Sequence, residues 1–319
     1  MTPQEMVSRV LYRDALMLVL DKPAGMAVHQ GPPNSADRSR LCLQDFFDAL
    51  RFGLPRSPSL AHRLDRDTSG CLVLGRHRKA LATLGKLFKS GAIDKTYWAV
   101  VEGGPEADEG LIELPLGRLD VTRGWWMKHD PQGQPAATKW KVIGRLSPPP
   151  CSSPPPCGEG SGVGVGRSDA AADVALGFAP LLASRDLTTP LPTLPHKGGG
   201  NMEGGILTWL ALEPLTGRTH QLRVHCAAMG WPILGDAIYG NAPRKGGPVL
   251  HLHARGITVP LYKNRDPIKV TAPPPAHMRE RLTLCGWEGE FAEGGMPLPP
   301  RCARSPSPVP LRSTGPDEV

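Results

Sequence analysis

Between Ser147 and Gly205 lies a stretch that no hydrophobic core can absorb: 59 residues with 10 prolines, 11 glycines and Phe178 as the single aromatic. Proline cannot donate to a helix or a ladder, and glycine loses the most freedom on ordering, so this composition marks low-complexity sequence. The string "SPPPC" occurs twice within it, at Ser147 to Cys151 and at Ser153 to Cys157. Its flanks, "TKWKVIGRL" and "ILTWLALEP", read as strands, the second placing Ile206, Thr208, Leu210 and Leu212 on one face. The pattern predicts a β-hairpin with an inflated loop, an insertion that costs little because closure entropy grows only with the logarithm of loop length. A second Pro-rich stretch, 291–319, reads as a tail. Insertion and tail are both expected to be disordered, which leaves one domain over 1–290 interrupted at 147–205.

The 260 residues outside the insertion suffice for a large core without disulfide or metal support. The seven cysteines are scattered, with no C-x-x-C pair, and read as reduced thiols. No run is long and apolar enough to span a bilayer, and the N-terminus lacks the basic-then-apolar pattern of a leader. A cytoplasmic protein is expected. The net charge is +7, yet the insertion carries three basic and five acidic residues, so the rest holds 34 basic against 25 acidic. The basic character therefore belongs to the folded body and favours a polyanionic partner, RNA first.

Short apolar runs and amphipathic stretches alternate irregularly. "LMLVL" at 16–20 is a strand broken by "DKPAG". In "CLQDFFDALRFG" Leu43, Phe46, Phe47 and Leu50 follow helical spacing, with Gly53 placed to end the helix. Cys71 to Leu74 is an apolar strand, and "RKALATLGKLFKSG" a helix with Leu81, Leu84 and Phe88 on one face. "KTYWAVVEG" is a further strand. After the insertion a strand ends at Pro214, and "HQLRVHCAAMG" forms a helix with Leu222, Cys226 and Met229 on its core face and Arg223 opposite. Several strands connect without crossover helices, which predicts an α+β fold: a mixed, mainly antiparallel sheet flanked by helices and loops.

Chemistry concentrates in three places. "HRLDRDTSG" sets Asp65 between Arg63 and Arg66 just before a strand. An ionised carboxylate is a nucleophile, and a nearby guanidinium keeps it ionised. Neighbours in an extended segment point to opposite faces, so the partner guanidinium is expected from elsewhere. "TGRTHQLRVH" offers Arg218 and Arg223, and "KTYWAV" puts Lys95 and Tyr97 on one strand face.

Taken in order, "HRLDRDTSG", "KTYWAVVEG" and "LEPLTGRTHQLRVHCAAMGWPILGDAIYG" resemble the RluA-type family of RNA pseudouridine synthases. The flanking "LVLDKPAGMAVHQG", "HLHARGITV" and "PIKVTAPPP" extend the resemblance over roughly 8–280, apart from the insertion. The resemblance implies the pseudouridine synthase fold and an isomerase needing no cofactor and no metal. It makes Asp65 the essential carboxylate that attacks a flipped-out uridine and Arg223 its salt-bridge partner. Tyr97 would stack under the base and help remove its C5 proton, and Arg63 would fill the gap that the nucleotide leaves. Arg218, His220 and Leu222 join Arg63 as substrate-binding residues. For His62 and His220 a structural role and a contact with RNA backbone are both open. Thr68, Ser69 and Gly70 would shape the turn that presents Asp65, and Trp125 and Trp126 offer stacking surfaces. Only about 15 residues precede the first strand, which leaves no room for the N-terminal S4 domain of the longer members. The expected partner is large-subunit ribosomal RNA, tRNA or both, with no membrane partner and the chain acting as a monomer.

Two other function classes meet parts of the sequence. Ten histidines raise a metal-dependent hydrolase, but those of "HQLRVH" stand five apart, about 140° around a helix, and do not share a face. "HLH" at 251–253 has no carboxylate cluster beside it. A catalytically silent RNA-binding or ribosome-assembly factor would use the basic body equally well. The presence of Asp65, Tyr97 and Arg223 together argues against it. The insertion is expected to be the first segment cut when the native protein meets a protease; complete protection of 147–205 would refute its disorder.

Overall fold

The computed structural model describes residues 1–30, 41–120, 126–146 and 206–289. The insertion at 147–205, the tail at 291–319 and Trp125 lie outside them.

The first half of the chain is built on short, strongly apolar strands. After a capped helix α1 (Pro3–Ser8) come β1 (Val10–Arg13) and β2 (Met17–Lys22), then β3 (Ser59–Leu60) and β4 (Ser69–Gly75), which is buried at every position. Helix α2 (Arg78–Lys89) leads to β5 (Asp94–Glu102) and β6 (Glu109–Glu113), followed by a separate hairpin of β7 (Leu116–Arg118) and β8 (Met127–His129). The long strands β9 (Ala137–Leu146) and β10 (Leu207–Pro214) come next, then α3 (Gln221–Ala228), β11 (Leu252–Val259), β12 (Ile268–Thr271) and α4 (Ala276–Leu284).

Ten of these strands form one sheet, in the order β1-β2-β4-β11-β5-β10-β9-β6, with β12 beside β11 and β3 beside β4. Every pairing is antiparallel except one. β4 and β11 run parallel over just two pairs, His253 with Ser69 and Ala254 with Gly70. The predicted α+β class and mainly antiparallel sheet are observed. β9 and β10 are paired, with Leu146 opposite Leu207, the positions that flank the insertion.

Two expectations change. Leu43–Leu50 forms a 3₁₀ helix, not an α-helix; its buried residues Leu43, Phe46, Phe47 and Leu50 are the predicted ones, and the three-residue steps 43 to 46 and 47 to 50 suit the tighter helix equally. Helix α3 has no solvated face over Gln221 to Cys226, so Arg223 is buried, while Met229, expected in the core, is exposed. The reason is the layering around β10. Leu222 and Cys226 of α3 pack with Leu210 and Leu212 on one face of the sheet, and Met278 and Leu282 of α4 pack with Trp209 on the other. Among the described residues no helix is long and apolar enough to cross a membrane.

Gly70 makes the parallel contact possible. Its φ is +103°, and a Cβ there would press on the backbone carbonyl of Ala254. Gly70→Ala therefore meets both a disfavoured backbone conformation and a backbone clash. Its expected cost is about 2 kcal/mol or more, to be read from denaturant unfolding.

Candidate active site

One row of paired residues runs across six strands and positions most of the site: Lys22 on β2, Gly70 on β4, Ala254 on β11, Tyr97 on β5, Leu212 on β10 and Trp140 on β9. Asp65 stands in the turn leading into β4, closed by the Thr68 N–H on the Asp65 carbonyl at 3.2 Å. Thr68 and Ser69 are buried, and Ser69 Oγ bonds His253 Nδ1 at 2.9 Å. Lys22 ties the same turn down from below. Its fully buried Nζ donates to the carbonyls of Pro23, Met26 and Arg66 at 2.7–2.8 Å, so each of its three protons has an acceptor. Burial pulls its pKa down to about 7 against the opposing pull of Asp67, Asp65 and Asp21.

The partner for Asp65 does come from elsewhere, but not in the expected form. The Arg223 fork is already taken: Nε and Nη2 each donate to Asp236 at 2.7 Å, and Asp236 Oδ1 also accepts the N–H groups of Ile238 and Tyr239. Burial opposes ionisation of Asp236, yet these donors outweigh it and hold its carboxyl below the usual range. What Arg223 offers Asp65 is its third nitrogen, Nη1, at 4.0 Å from Oδ2. Arg223 is thus a buried cation between two carboxylates, with the Tyr239 ring 5.1 Å from its guanidinium carbon.

His220 completes the surroundings of Asp65. It adopts a left-handed backbone, φ +53°, at the start of α3, and its Nε2 lies 3.8 Å from Asp65 Oδ1. Its Nδ1 meets the Tyr239 hydroxyl at 2.7 Å, and that hydroxyl accepts the Met127 N–H. With the Tyr239 hydroxyl donating to Nδ1, a neutral His220 carries its own proton on Nε2, facing Asp65. Burial lowers the His220 pKa and favours that neutral form, against the pull of Asp65.

All seven residues singled out from the sequence, Arg63, Asp65, Tyr97, Arg218, His220, Leu222 and Arg223, line one cleft of about 620 Å³. Leu222 packs in the same cluster as Tyr97, giving the cleft an apolar side. Burial, with Asp65 adding to it, pushes the Tyr97 phenol well above its ordinary value, so the resting group is a neutral phenol. Arg63 is exposed on the rim. Arg218 is exposed as well, its Nε donating to the Pro135 carbonyl at 3.1 Å. Of the histidines left open, His62 accepts the Val73 N–H through Nε2 at 3.0 Å and stacks on Phe88, a structural role; burial drives its pKa down to about 3. His225 is held by Thr138 and the Leu114 carbonyl, and His253 by Ser69 and the Ala272 carbonyl. Among the described residues no group of three or more His, Cys, Asp or Glu is gathered to hold a metal.

The profile described as RNA pseudouridylate synthase matches residues 16–228, and the cleft lies within and just beyond that span. The chain belongs to the RNA pseudouridine synthase family. An uncharacterized RNA pseudouridine synthase of Zymomonas mobilis is 33% identical over 272 residues, covering 85% of this chain and 95% of that protein. The ribosomal large subunit pseudouridine synthase C of Haemophilus ducreyi is 28% identical, over 87% of this chain and 69% of that one. In fold, human RNA pseudouridylate synthase domain containing 4 matches with a TM-score of 0.57 at 20% identity, covering 88% and 95% of the two chains. Human domain containing 1 matches with 0.55 at 24% identity, over 83% of each. The chain is an RNA pseudouridine synthase, an isomerase.

Within this synthase, sequence reasoning missed Asp236 and Tyr239, although both stand in the quoted "GDAIYG". The available signal was local: an Asp after Gly whose carboxylate caps backbone N–H groups two and three residues on. Asp236→Asn keeps the shape but leaves Arg223 short of one buried countercharge. A loss of about 3 kcal/mol is expected, measured by urea unfolding.

Proposed function

We propose that Asp65 is the group on which this synthase turns, acting on a uridine drawn out of the RNA stack, with large-subunit ribosomal RNA as the substrate class. The observation that carries the reading is convergence. Seven residues from three separate sequence segments line one cleft, with a carboxylate held beside a buried guanidinium. A base inside a helix cannot be reached in such a cleft, so it must be unstacked at a cost of a few kcal/mol, and a guanidinium plane from Arg63 on the rim offsets part of it.

In the isomerisation the N1–C1′ bond breaks, the base turns, and a C5–C1′ bond forms; the proton on C5 is lost and N1 gains one. Asp65 is the nucleophile, and Arg223 Nη1 and the Nε2 proton of His220 stabilise its charge when the base is absent. Tyr97 supplies a stacking face next to Leu222. As a neutral phenol it takes up the C5 proton only after losing its own, so stacking is the role that its surroundings support. Arg218, exposed at the mouth, meets the RNA backbone, while buried His220 acts on the substrate through Asp65. We place the enzyme in the cytoplasm as a monomer, over 1–290, with the insertion at 147–205 and the tail at 291–319 outside the catalytic work. The substrate class follows the names of the Haemophilus ducreyi and Vibrio cholerae relatives, both ribosomal large subunit synthases.

Tritium release from C5-labelled uridine tests this, using unmodified large ribosomal RNA and tRNA in separate reactions. Wild type is expected to release tritium from ribosomal RNA, and Asp65→Ala to release none. Release from tRNA alone would overturn the substrate class; release by Asp65→Ala would overturn the nucleophile. RNA binding without release by wild type would favour the silent RNA-binding factor. Arg223→Lys keeps one charge but loses the planar fork that serves Asp236 and Asp65 together. Turnover is expected to fall by about two orders of magnitude.

A further inference from the structure

A second cleft, of about 870 Å³, adjoins the first and has no part in the chemistry above. Both clefts share Arg223, and the turn that gives Asp65 to one gives Arg66 and Asp67 to the other. The second is lined by six prolines and by basic residues from several elements: Arg9 pairs with Asp21 at 3.1 Å, Arg66 with Asp67 at 3.2 Å and Arg223 with Asp236, while Arg244 and Arg279 face no carboxylate of the lining. Arg66, Arg244 and Arg279 are its exposed guanidinium groups, and they come from three separate elements. Trp126 stands at the base of the loop between β7 and β8, where its carbonyl accepts the Leu119 N–H at 2.7 Å. It is half-buried, and the Arg244 guanidinium carbon lies 5.1 Å from its ring.

We propose that this second cleft binds the single-stranded nucleotides next to the target uridine, with Trp126 and Arg244 as a stacking platform for a base and Arg66 and Arg279 on the phosphates. Arg244 and Arg279, added to the paired arginines, leave the lining with a positive surplus that selects a polyanion. An indole beside a guanidinium selects one that carries aromatic rings, because stacking on such a surface tolerates any base. The 65–67 turn, which lines one cleft with Asp65 and the other with Arg66 and Asp67, gives the path: a strand whose uridine enters the catalytic cleft continues along that turn into this one. The proposal rests on the reading that Asp65 acts on RNA, and deepens it by naming where the adjoining strand runs.

The test uses the full chain and a fluorescein-labelled oligouridylate of about 12 nucleotides, within the range that such grooves occupy. Anisotropy is expected to show binding weakened about tenfold or more by Trp126→Ala, Arg244→Glu or Arg279→Glu, with Trp126→Phe restoring it. For each cation removed, the slope of log affinity against log salt is expected to fall by about 0.7. Photocrosslinking of an oligomer carrying 5-iodouridine is expected to map to the peptide containing Trp126. Wild-type affinity in the folded variants, or crosslinks confined to the first cleft, would overturn the proposal, as would failure of wild type to bind the oligomer. The two readings fail separately. Crosslinks at Trp126 without tritium release from either RNA leave this cleft standing and remove the chemistry. Tritium release by wild type with unweakened variants removes this cleft alone.

Discussion

The two-residue parallel contact between β4 and β11 is the joint of the molecule. On one side lie β2 and β1, on the other β5, β10, β9 and β6, and among the described residues the ladder that joins them is Ser69 and Gly70 meeting His253 and Ala254. A parallel pair is slanted in its hydrogen bonds and needs a long connection, here the whole stretch from 76 to 251. Because the contact is so short, it demands a backbone approach that only glycine permits, at Gly70. The same contact sets the geometry of the candidate site. It fixes the start of β4, hence the turn holding Asp65, and through Ala254 it fixes Tyr97 on the neighbouring strand.

Charge in the site is arranged by burial rather than by number. Arg223 and Asp236 form a two-pronged pair with side chains 5% and 0% exposed, which would be costly if either were left alone. Together they are close to neutral, and the guanidinium nitrogen left over is what Asp65 meets. A carboxylate facing a free arginine would be drawn into a tight pair and lose its reach. Facing an arginine already committed to Asp236, it keeps a charged neighbour at 4.0 Å without being locked to it. Lys22 does the mechanical equivalent from below, holding the backbone of the turn through the Arg66 carbonyl and leaving the Asp65 side chain unengaged.

The elements that could be read from the sequence were those whose apolar pattern reports one buried face: β2, β4, α2 and the paired β9 and β10. The seven candidate residues drawn from long ordered motifs all line one cleft. What escaped was set by contacts distant in sequence. Helical spacing sets Arg223 opposite the core face, whereas packing buries Gln221 to Cys226 all round. Asp236 carried no spacing signal toward Arg223, since the pairing depends on how the 230–240 loop folds back. The 3₁₀ character of Leu43–Leu50 is invisible to a pattern satisfied by both helices.

The β9–β10 ladder has a meaning for how such a chain can change over time. Cleft-lining Pro214 stands at one end of β10, and the insertion joins at the other, beyond Leu207. Seven residues of strand, roughly 23 Å at the usual rise, separate the point of growth from the chemistry. The register there is held by β5 on one side and β9 on the other, from Leu207 to Leu212, whatever connects the hairpin. That end of the sheet is a port where sequence can be added, lost or exchanged at little thermodynamic risk, and it is where a protein engineer would splice a reporter or a second domain into this enzyme.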